Sequence, residues 1–315
     1  MRLYDNTRLK GYKQCNRRYL FRHVFDWTSG GMAVAPGFGL CWHAAMDHLW
    51  PNIDHPAEDV VSRTFQAFMD EWIKQEMPNP LDDRDDLLKF RNPDTAARMI
   101  EDYFFTRKEF IGEHEVIGIE MPFCVPLDPD DPTVGYVGRL DKVIGKGDKR
   151  WIVDHKTTSA YRVSGGIASS VMDSFTPDSQ VDGYLYAGHM MWGKDFKGVW
   201  MDLALVHKKE SRFGLVPVER RLEHLDEWLW EAQEGVRRIE ADHSRMAGAA
   251  PGDPYLAAFP KTTDACYDFQ SPCPYLDVCK MYSNPLASDV PPGMEVSKWD
   301  PFTPEQLKQI EEIMG

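Results

Sequence analysis

Long apolar runs are missing from this 315-residue chain. No window reaches the roughly 18 consecutive apolar residues of a membrane-spanning helix. The first twenty residues carry Arg2, Arg8, Lys10, Lys13, Arg17 and Arg18 where a secretory signal would place an apolar segment. Neither membrane insertion nor export is expected, and the expected compartment is the cytoplasm. Cysteine is scarce: six residues are too few for a disulfide framework, and in a reducing compartment they stay free or bind metal. Positive charge is in deficit, with 36 Lys and Arg against 50 Asp and Glu and a net charge of −14. That balance argues against a protein that coats nucleic acid through a general cationic surface. Internal repeats and low-complexity linkers are also lacking. What remains, 43% hydrophobic and 27% charged, is a globular composition able to bury a large core.

The cysteines that are present are unevenly placed. Cys41 and Cys124 are isolated and read as core residues, whereas Cys266, Cys273 and Cys279 crowd into a segment rich in Pro, Asp and aromatics. Three thiols need a fourth ligand to close a tetrahedral site or a cubane cluster, and Cys15 is the candidate.

Apolar spacing of three and four predicts helices near Asn6–His23, Gly37–Trp50, Pro56–Glu76 and Pro93–Phe110. Acidic, proline-rich stretches at Met77–Asp86 and Asp128–Pro132 read as solvated loops. From Glu115 the period changes, and Val116–Val125, Tyr136–Ile144 and Trp151–Lys156 read as strands, the last two joined by a turn at Gly145–Asp148. A helix follows near Pro177–Met191, then strands near Gly198–His207 and Gly214–Arg221, and a long helix over Leu222–Arg245. Thr303-Pro-Glu-Gln306 is a capping box that starts a short terminal helix.

The hairpin carries the chemistry. If it is centred between Gly147 and Asp148, then Asp141 and Asp154 are equidistant from the centre and face each other across the strands. Opposed residues in an antiparallel pair have Cβ atoms about 4.5–5.5 Å apart, and like charges there are destabilising unless a cation sits between them. Strand alternation puts Lys156 on the face of Asp154, while the His155 side chain points away and leaves its backbone carbonyl near the site. Two carboxylates and an ammonium suit Mg²⁺ or Mn²⁺ and attack by water on a phosphodiester. Asp-x-Lys by itself carries little information, because Asp195-Phe-Lys197 matches it too; the paired strands make the difference.

In order along the chain, five stretches resemble the PD-(D/E)XK nuclease superfamily, in particular RecB-like and AddB-like exonucleases with an iron–sulfur cluster, including those of phages and CRISPR loci. They are Lys13-Gln-Cys15 with the basic-aromatic run to Arg22; Gly39-Leu-Cys-Trp-His43; Gly138-Arg-Leu-Asp141 with Val153-Asp154-His-Lys156-Thr; Gln180-Val-Asp-Gly-Tyr184; and the C-terminal cysteines. The wide Cys266-x₆-Cys273 spacing departs from the family's usual two-residue gap.

The resemblance implies an α/β fold of the restriction-endonuclease kind, with a mixed central sheet flanked by helices and a metal cluster stapling the N- and C-terminal segments. With no repeat or linker in the sequence, residues 1–285 are expected to form a single nuclease domain with a helical part (1–112), a catalytic core (113–221) and a helix with the cysteine cluster (222–285), followed by a tail (286–315). His43, Asp141, Asp154 and the His155 carbonyl are the expected Mg²⁺ or Mn²⁺ ligands. Lys156 orients water, and Gln180 and Tyr184 position the backbone or brace the lysine. Asp47, one turn beyond His43, reads as a supporting or exposed carboxylate, and Glu120, on the strand preceding the hairpin, could approach the metals but is not counted among the expected ligands. Cys15, Cys266, Cys273 and Cys279 are expected to hold a [4Fe–4S] cluster, with zinc as the alternative.

The expected function is an exonuclease on DNA, single-stranded or with free ends, with a protein partner in a recombination or adaptation complex. The rivals are a noncatalytic DNA-binding subunit and a zinc-stabilised phosphoesterase acting on RNA. Charge distribution agrees with a confined site. Residues 1–23 carry +6 and 139–162 carry +4, leaving −24 elsewhere. The basic N-terminal run, including Arg17 and Arg18, is expected to add to substrate affinity.

Overall fold

The computed structural model describes residues 2–29, 33–79, 88–128, 131, 133–162, 164–268, 271–300 and 302–314. The loops expected at Met77–Asp86 and Asp128–Pro132 fall partly outside them. In chain order the elements are β1 (Arg2–Tyr4), α1 (Asn6–Gln14), α2 (Asn16–Tyr19), β2 (Trp27–Ser29), α3 (Val34–Leu49), α4 (Ala57–Lys74), α5 (Pro93–Gly112), β3 (Glu115–Pro126), β4 (Val134–Lys146) and β5 (Lys149–Thr158). They continue with α6 (Ser169–Asp173), α7 (Ser179–Trp192), β6 (Phe196–Leu205), β7 (Arg212–Val218), α8 (Leu222–Ala247), β8 (Tyr267–Asp268), β9 (Ser271–Pro272), α9 (Leu276–Met281), β10 (Met294–Val296) and α10 (Pro304–Met314). Among these residues no helix is long and apolar enough to cross a membrane.

The main sheet has six strands in the order β1-β4-β5-β6-β7, with β3 also on β4. It is mixed: β4–β5 and β6–β7 are antiparallel, and β1–β4 and β5–β6 are parallel. The expected mixed α/β architecture is therefore the observed one. The chain forms two compact units, one of residues 1–31, 122–138 and 222–315, the other of 32–121 and 139–221.

In the second unit the β4–β5 hairpin turns at Gly147, whose φ of 61° suits glycine. It pairs Lys146 with Lys149 and Lys142 with Val153, the register centred between Gly147 and Asp148. Parallel pairing of β5 with β6 requires a crossover, and α7 supplies it. The Asp178 side chain caps α7 by accepting from the amides of Gln180 (2.9 Å) and Val181 (3.1 Å), which fixes where Gln180 and Tyr184 begin to wind. Helices α3, α4 and α5 build the core with the sheet through Phe38, Trp42, Phe68, Met99 and Phe104, all fully buried. The lone Asp195-Phe-Lys197 copy falls at a 3₁₀ turn entering β6, where the Lys197 ammonium donates to the Lys194 carbonyl.

In the first unit the helix expected over Asn6–His23 is broken. Cys15 is extended (φ −160°, ψ 115°) between α1 and α2, and the chain continues as a π-helical turn over Leu20–Val24. Apolar periodicity passes through such a break because both helices bury the same side, so the sequence does not register it. Arg17 is also corrected. It is buried and directs its guanidinium to the carbonyls of Phe259 (2.8 Å) and Leu256 (3.2 Å), so it is not presented to a substrate. At the C-terminus the capping box forms as read: the Thr303 amide donates to Gln306 Oε1 (2.9 Å) and the Gln306 amide to Thr303 Oγ1 (3.3 Å).

Close packing of α7 on β6 generates a prediction. A Cβ on Gly188 would lie 2.4 Å from the Phe196 ring. Gly188→Ala should gain about 1 kcal/mol of helix propensity and lose about 1–3 kcal/mol to overpacking. A net loss of stability is expected in urea unfolding; a gain would contradict the contact.

Candidate active site

The residues singled out on the hairpin meet in the second unit. Asp141 and Asp154 are buried at the ends of paired β4 and β5. The His155 amide donates to Asp141 Oδ2 (3.0 Å), and His43 Nδ1 lies 3.1 Å from the same oxygen. His43 stands on α3, whose buried face of Phe38, Cys41, Trp42, Ala45 and Met46 fixes the helix in the core. Lys156 Nζ is 2.9 Å from Asp154 Oδ2 and 3.1 Å from Gln180 Oε1. Gln180 Nε2 donates to the Tyr184 hydroxyl (3.2 Å), which donates to the Arg139 carbonyl (3.3 Å). The chain Asp154–Lys156–Gln180–Tyr184–Arg139 thus links β5, α7 and β4. The four-residue spacing of Gln180 and Tyr184 places both on one helix face, as their sequence implies.

Two features go further than the expected ligand set. Donor atoms of His43, Glu120 and Asp141 lie within 4.8 Å of one another, so Glu120 joins the group capable of holding an ion. Its φ is 50°, a left-handed conformation costing a non-glycine residue about 1–3 kcal/mol. Such a distortion escapes strand alternation, and no residue type announces it. Glu120 is also ion-paired with Arg139. The second feature is Lys142, fully buried, whose ammonium donates to Asp47 Oδ1 (2.5 Å). Asp47 is therefore held one helical turn from His43 by a lysine that hydrophobic patterning would place on a surface.

His155 divides its roles. Its amide serves Asp141, while its ring is wholly buried on the other face with Nδ1 3.2 Å from Asp202 Oδ2. The ring is not part of the three-residue donor group.

Electrostatics follow the packing. Burial pushes the Glu120 carboxyl up to about 7, with Arg139 opposing and Asp141 and Asp47 adding to the rise. Burial would raise Asp141 as well, but His43 and Lys156 hold it far below the usual carboxylate range. Asp154 is raised by burial and by the Asp141 charge, against the pull of Lys156. Burial disfavours the charged forms of His43 and Lys156, yet the facing carboxylates raise both above their ordinary values. Lys156 is thus an ammonium at neutral pH, a donor and not a base.

The donor set fits a divalent ion: two carboxylates and an imidazole, with Asp154 close behind, could hold one. The cysteines present a different picture. Cys15, Cys266, Cys273 and Cys279 are all in the first unit and partly exposed. The Thr262 amide donates to Cys15 Sγ (3.4 Å) and the Cys273 amide to the Cys266 carbonyl (2.8 Å). Among the described residues, however, no three sulfurs come within 4.8 Å of one another. Tetrahedral zinc with Zn–S bonds of about 2.3 Å would need them closer than that. Among the described residues the four thiols therefore form no closed mononuclear site.

The site is thus a mixed sheet that presents an acidic pair and a lysine from a hairpin, with a histidine from a packed helix beside them. Residues 6–280 match the PD-(D/E)XK nuclease superfamily, and the chain belongs to it. Membership implies a hydrolytic nuclease that binds nucleic acid. The comparison with curated proteins found no match. Among solved structures, a conjectured exonuclease from Eubacterium rectale aligns over 76% of this chain and 79% of its own, with 13% identity and a TM-score of 0.40.

The raised Glu120 and His43 values predict the pH dependence of metal binding. Both groups must lose a proton to ligate, so affinity strengthens as pH rises. Mn²⁺ affinity measured by calorimetry should increase roughly tenfold per displaced proton for each unit between pH 6 and 7. Glu120→Gln should weaken binding and flatten that slope.

Proposed function

We propose that this chain is a Mg²⁺- or Mn²⁺-dependent deoxyribonuclease of the RecB-like and AddB-like kind that hydrolyses DNA from its ends. The observation that carries the reading is the Lys156 ammonium held between Asp154 and Gln180 beside the His43–Glu120–Asp141 donor group. His43, Glu120, Asp141 and Asp154 would hold the ion, which when bound supplies Lewis-acid stabilisation of charge on the scissile phosphate. The remaining work falls to the chain. Lys156, kept protonated by its carboxylates, donates to the attacking water or to a phosphate oxygen. Gln180 and Tyr184 fix the direction of that ammonium, and burial of both aspartates limits competing water. DNA and attack from an end rest on the sequence resemblance.

The test is incubation of purified protein with end-labelled linear, circular and single-stranded DNA, and with RNA, with and without Mn²⁺. Mononucleotide release from linear DNA is the expected result. Cleavage of circular DNA would replace the exonuclease reading with an endonuclease, and cleavage of RNA alone would favour a ribonuclease. Asp154→Asn should abolish cleavage, and Lys156→Ala should lower the rate by about 10²-fold or more, with thermal unfolding little changed.

We also read the four cysteines as ligands of a [4Fe–4S] cluster, a larger body than a single ion. Support comes from Arg17, a buried guanidinium without an ion-pair partner among the described residues, which lies within electrostatic reach of Cys15 and Cys279. Burial pushes the Cys279 thiol up to about 11, with Cys15 and Cys273 adding to the rise and Lys261 and Arg17 opposing it, and a bound cation centre would favour the thiolates further. Anaerobically purified protein should be brown and contain iron, and Cys279→Ala should lose both colour and iron. Zinc in place of iron, or full iron content in the variant, would count against the assignment.

A further inference from the structure

Behind the catalytic strands lies a buried polar network that the proposed chemistry does not use. Asp202 on β6 is 1% exposed and stands opposite His155 in the β5–β6 ladder. Its carboxylate accepts from the Tyr103 hydroxyl, from Arg107 Nε (3.1 Å) and Nη2 (2.9 Å), and lies 3.2 Å from His155 Nδ1. Trp50 Nε1 donates to the Tyr103 hydroxyl (3.0 Å) and the Trp50 ring meets the His155 ring edge-on at 5.6 Å. The His155 ring in turn meets the His43 ring edge-on at 6.1 Å.

Two contacts connect this network to the metal donors. The His155 amide donates to Asp141 Oδ2, and the His155 ring backs His43. Movement of His155 would therefore displace two donors together. Buried ion pairs contribute little net stability, because desolvation offsets their attraction. What close packing and a shared buried carboxylate do supply is a restricted geometry, here with the His155 ring held by the Asp202 charge at 3.2 Å and by the Trp50 ring. Helix α5, carrying Tyr103 and Arg107, sets Asp202; Asp202 sets the His155 ring; and His155 sets the two donors from β4 and α3.

We infer that Asp202, fixed by Tyr103 and Arg107, is a positioning residue that acts through His155 to hold His43 and Asp141 in a metal-binding arrangement. The inference rests on the reading of those residues as metal donors. Asp202→Asn keeps the shape and removes the charge that faces Tyr103, Arg107 and His155. Partners of this kind govern affinity by about 10- to 100-fold.

The experiment is Mn²⁺ titration of DNA-free protein, followed by calorimetry and by the electron paramagnetic resonance of free Mn²⁺. Unfolding and DNA cleavage are measured over a range of Mn²⁺ concentrations. Asp202→Asn should raise the Mn²⁺ dissociation constant by about 10- to 100-fold, and cleavage should recover at high Mn²⁺. Tyr103→Phe, which removes one donor to Asp202, should shift affinity in the same direction by less and decides the matter if Asp202→Asn does not fold. A dissociation constant within about twofold of wild type in a folded variant overturns the inference, even if thermal stability falls, since a purely structural role would do that alone. The titration needs no substrate, so a wild-type protein that binds Mn²⁺ but cuts no nucleic acid would fail the nuclease reading and leave this one standing. Wild-type protein that binds no Mn²⁺ overturns both.

Discussion

Two carboxylates brought together out of water are the constraint on which the site depends. Asp141 and Asp154 are buried on adjoining antiparallel strands. Their mutual repulsion and loss of hydration would expel one of them unless positive charge and donors converge. Lys156 answers Asp154, while His43 and the His155 amide answer Asp141. The result is an asymmetric pair, Asp141 held strongly acidic and Asp154 pushed the other way. This division leaves the donor group of His43, Glu120 and Asp141 ready to exchange protons for a divalent ion.

The fold meets that constraint by assembling the site from elements that are rigid for other reasons. β5 is paired on both sides, α3 is anchored in an aromatic core, and α7 is capped by Asp178 and pressed on β6 through Gly188. The strained element is β3 at Glu120, where a left-handed residue brings a third donor inward. Cost concentrated at one backbone position is expected where geometry matters more than stability. Arg139, one end of the chain of contacts through Tyr184, also pairs with Glu120, so donor group and lysine brace meet on the same strand.

The acidic total is compatible with a protein that handles a polyanion. Part of the positive charge in the hairpin is internal: Lys142 is buried against Asp47, and Lys156 is committed to Asp154. Arg17 in the N-terminal run is equally withdrawn. The basic residues of these segments therefore organise the protein as much as they attract substrate, and charge counting along the sequence overstates the cationic surface.

Element order, the hairpin register and the shared helix face of Gln180 and Tyr184 were legible in the sequence, because they follow from local rules: turn residues, alternation and four-residue helical spacing; the meeting of Lys156 with Gln180 was implied only by the family resemblance. Those rules operate over a few residues and survive folding unchanged. Glu120 as a donor, the burial of Lys142 and Arg17, the break at Cys15 and the Asp202 network were decided only in three dimensions. Each arises from a contact between segments distant in sequence or from a backbone torsion that no residue type dictates. Local pattern thus determined what could lie on one face of a strand or helix; which faces met, and which charges were thereby buried, was set by the packing of the whole.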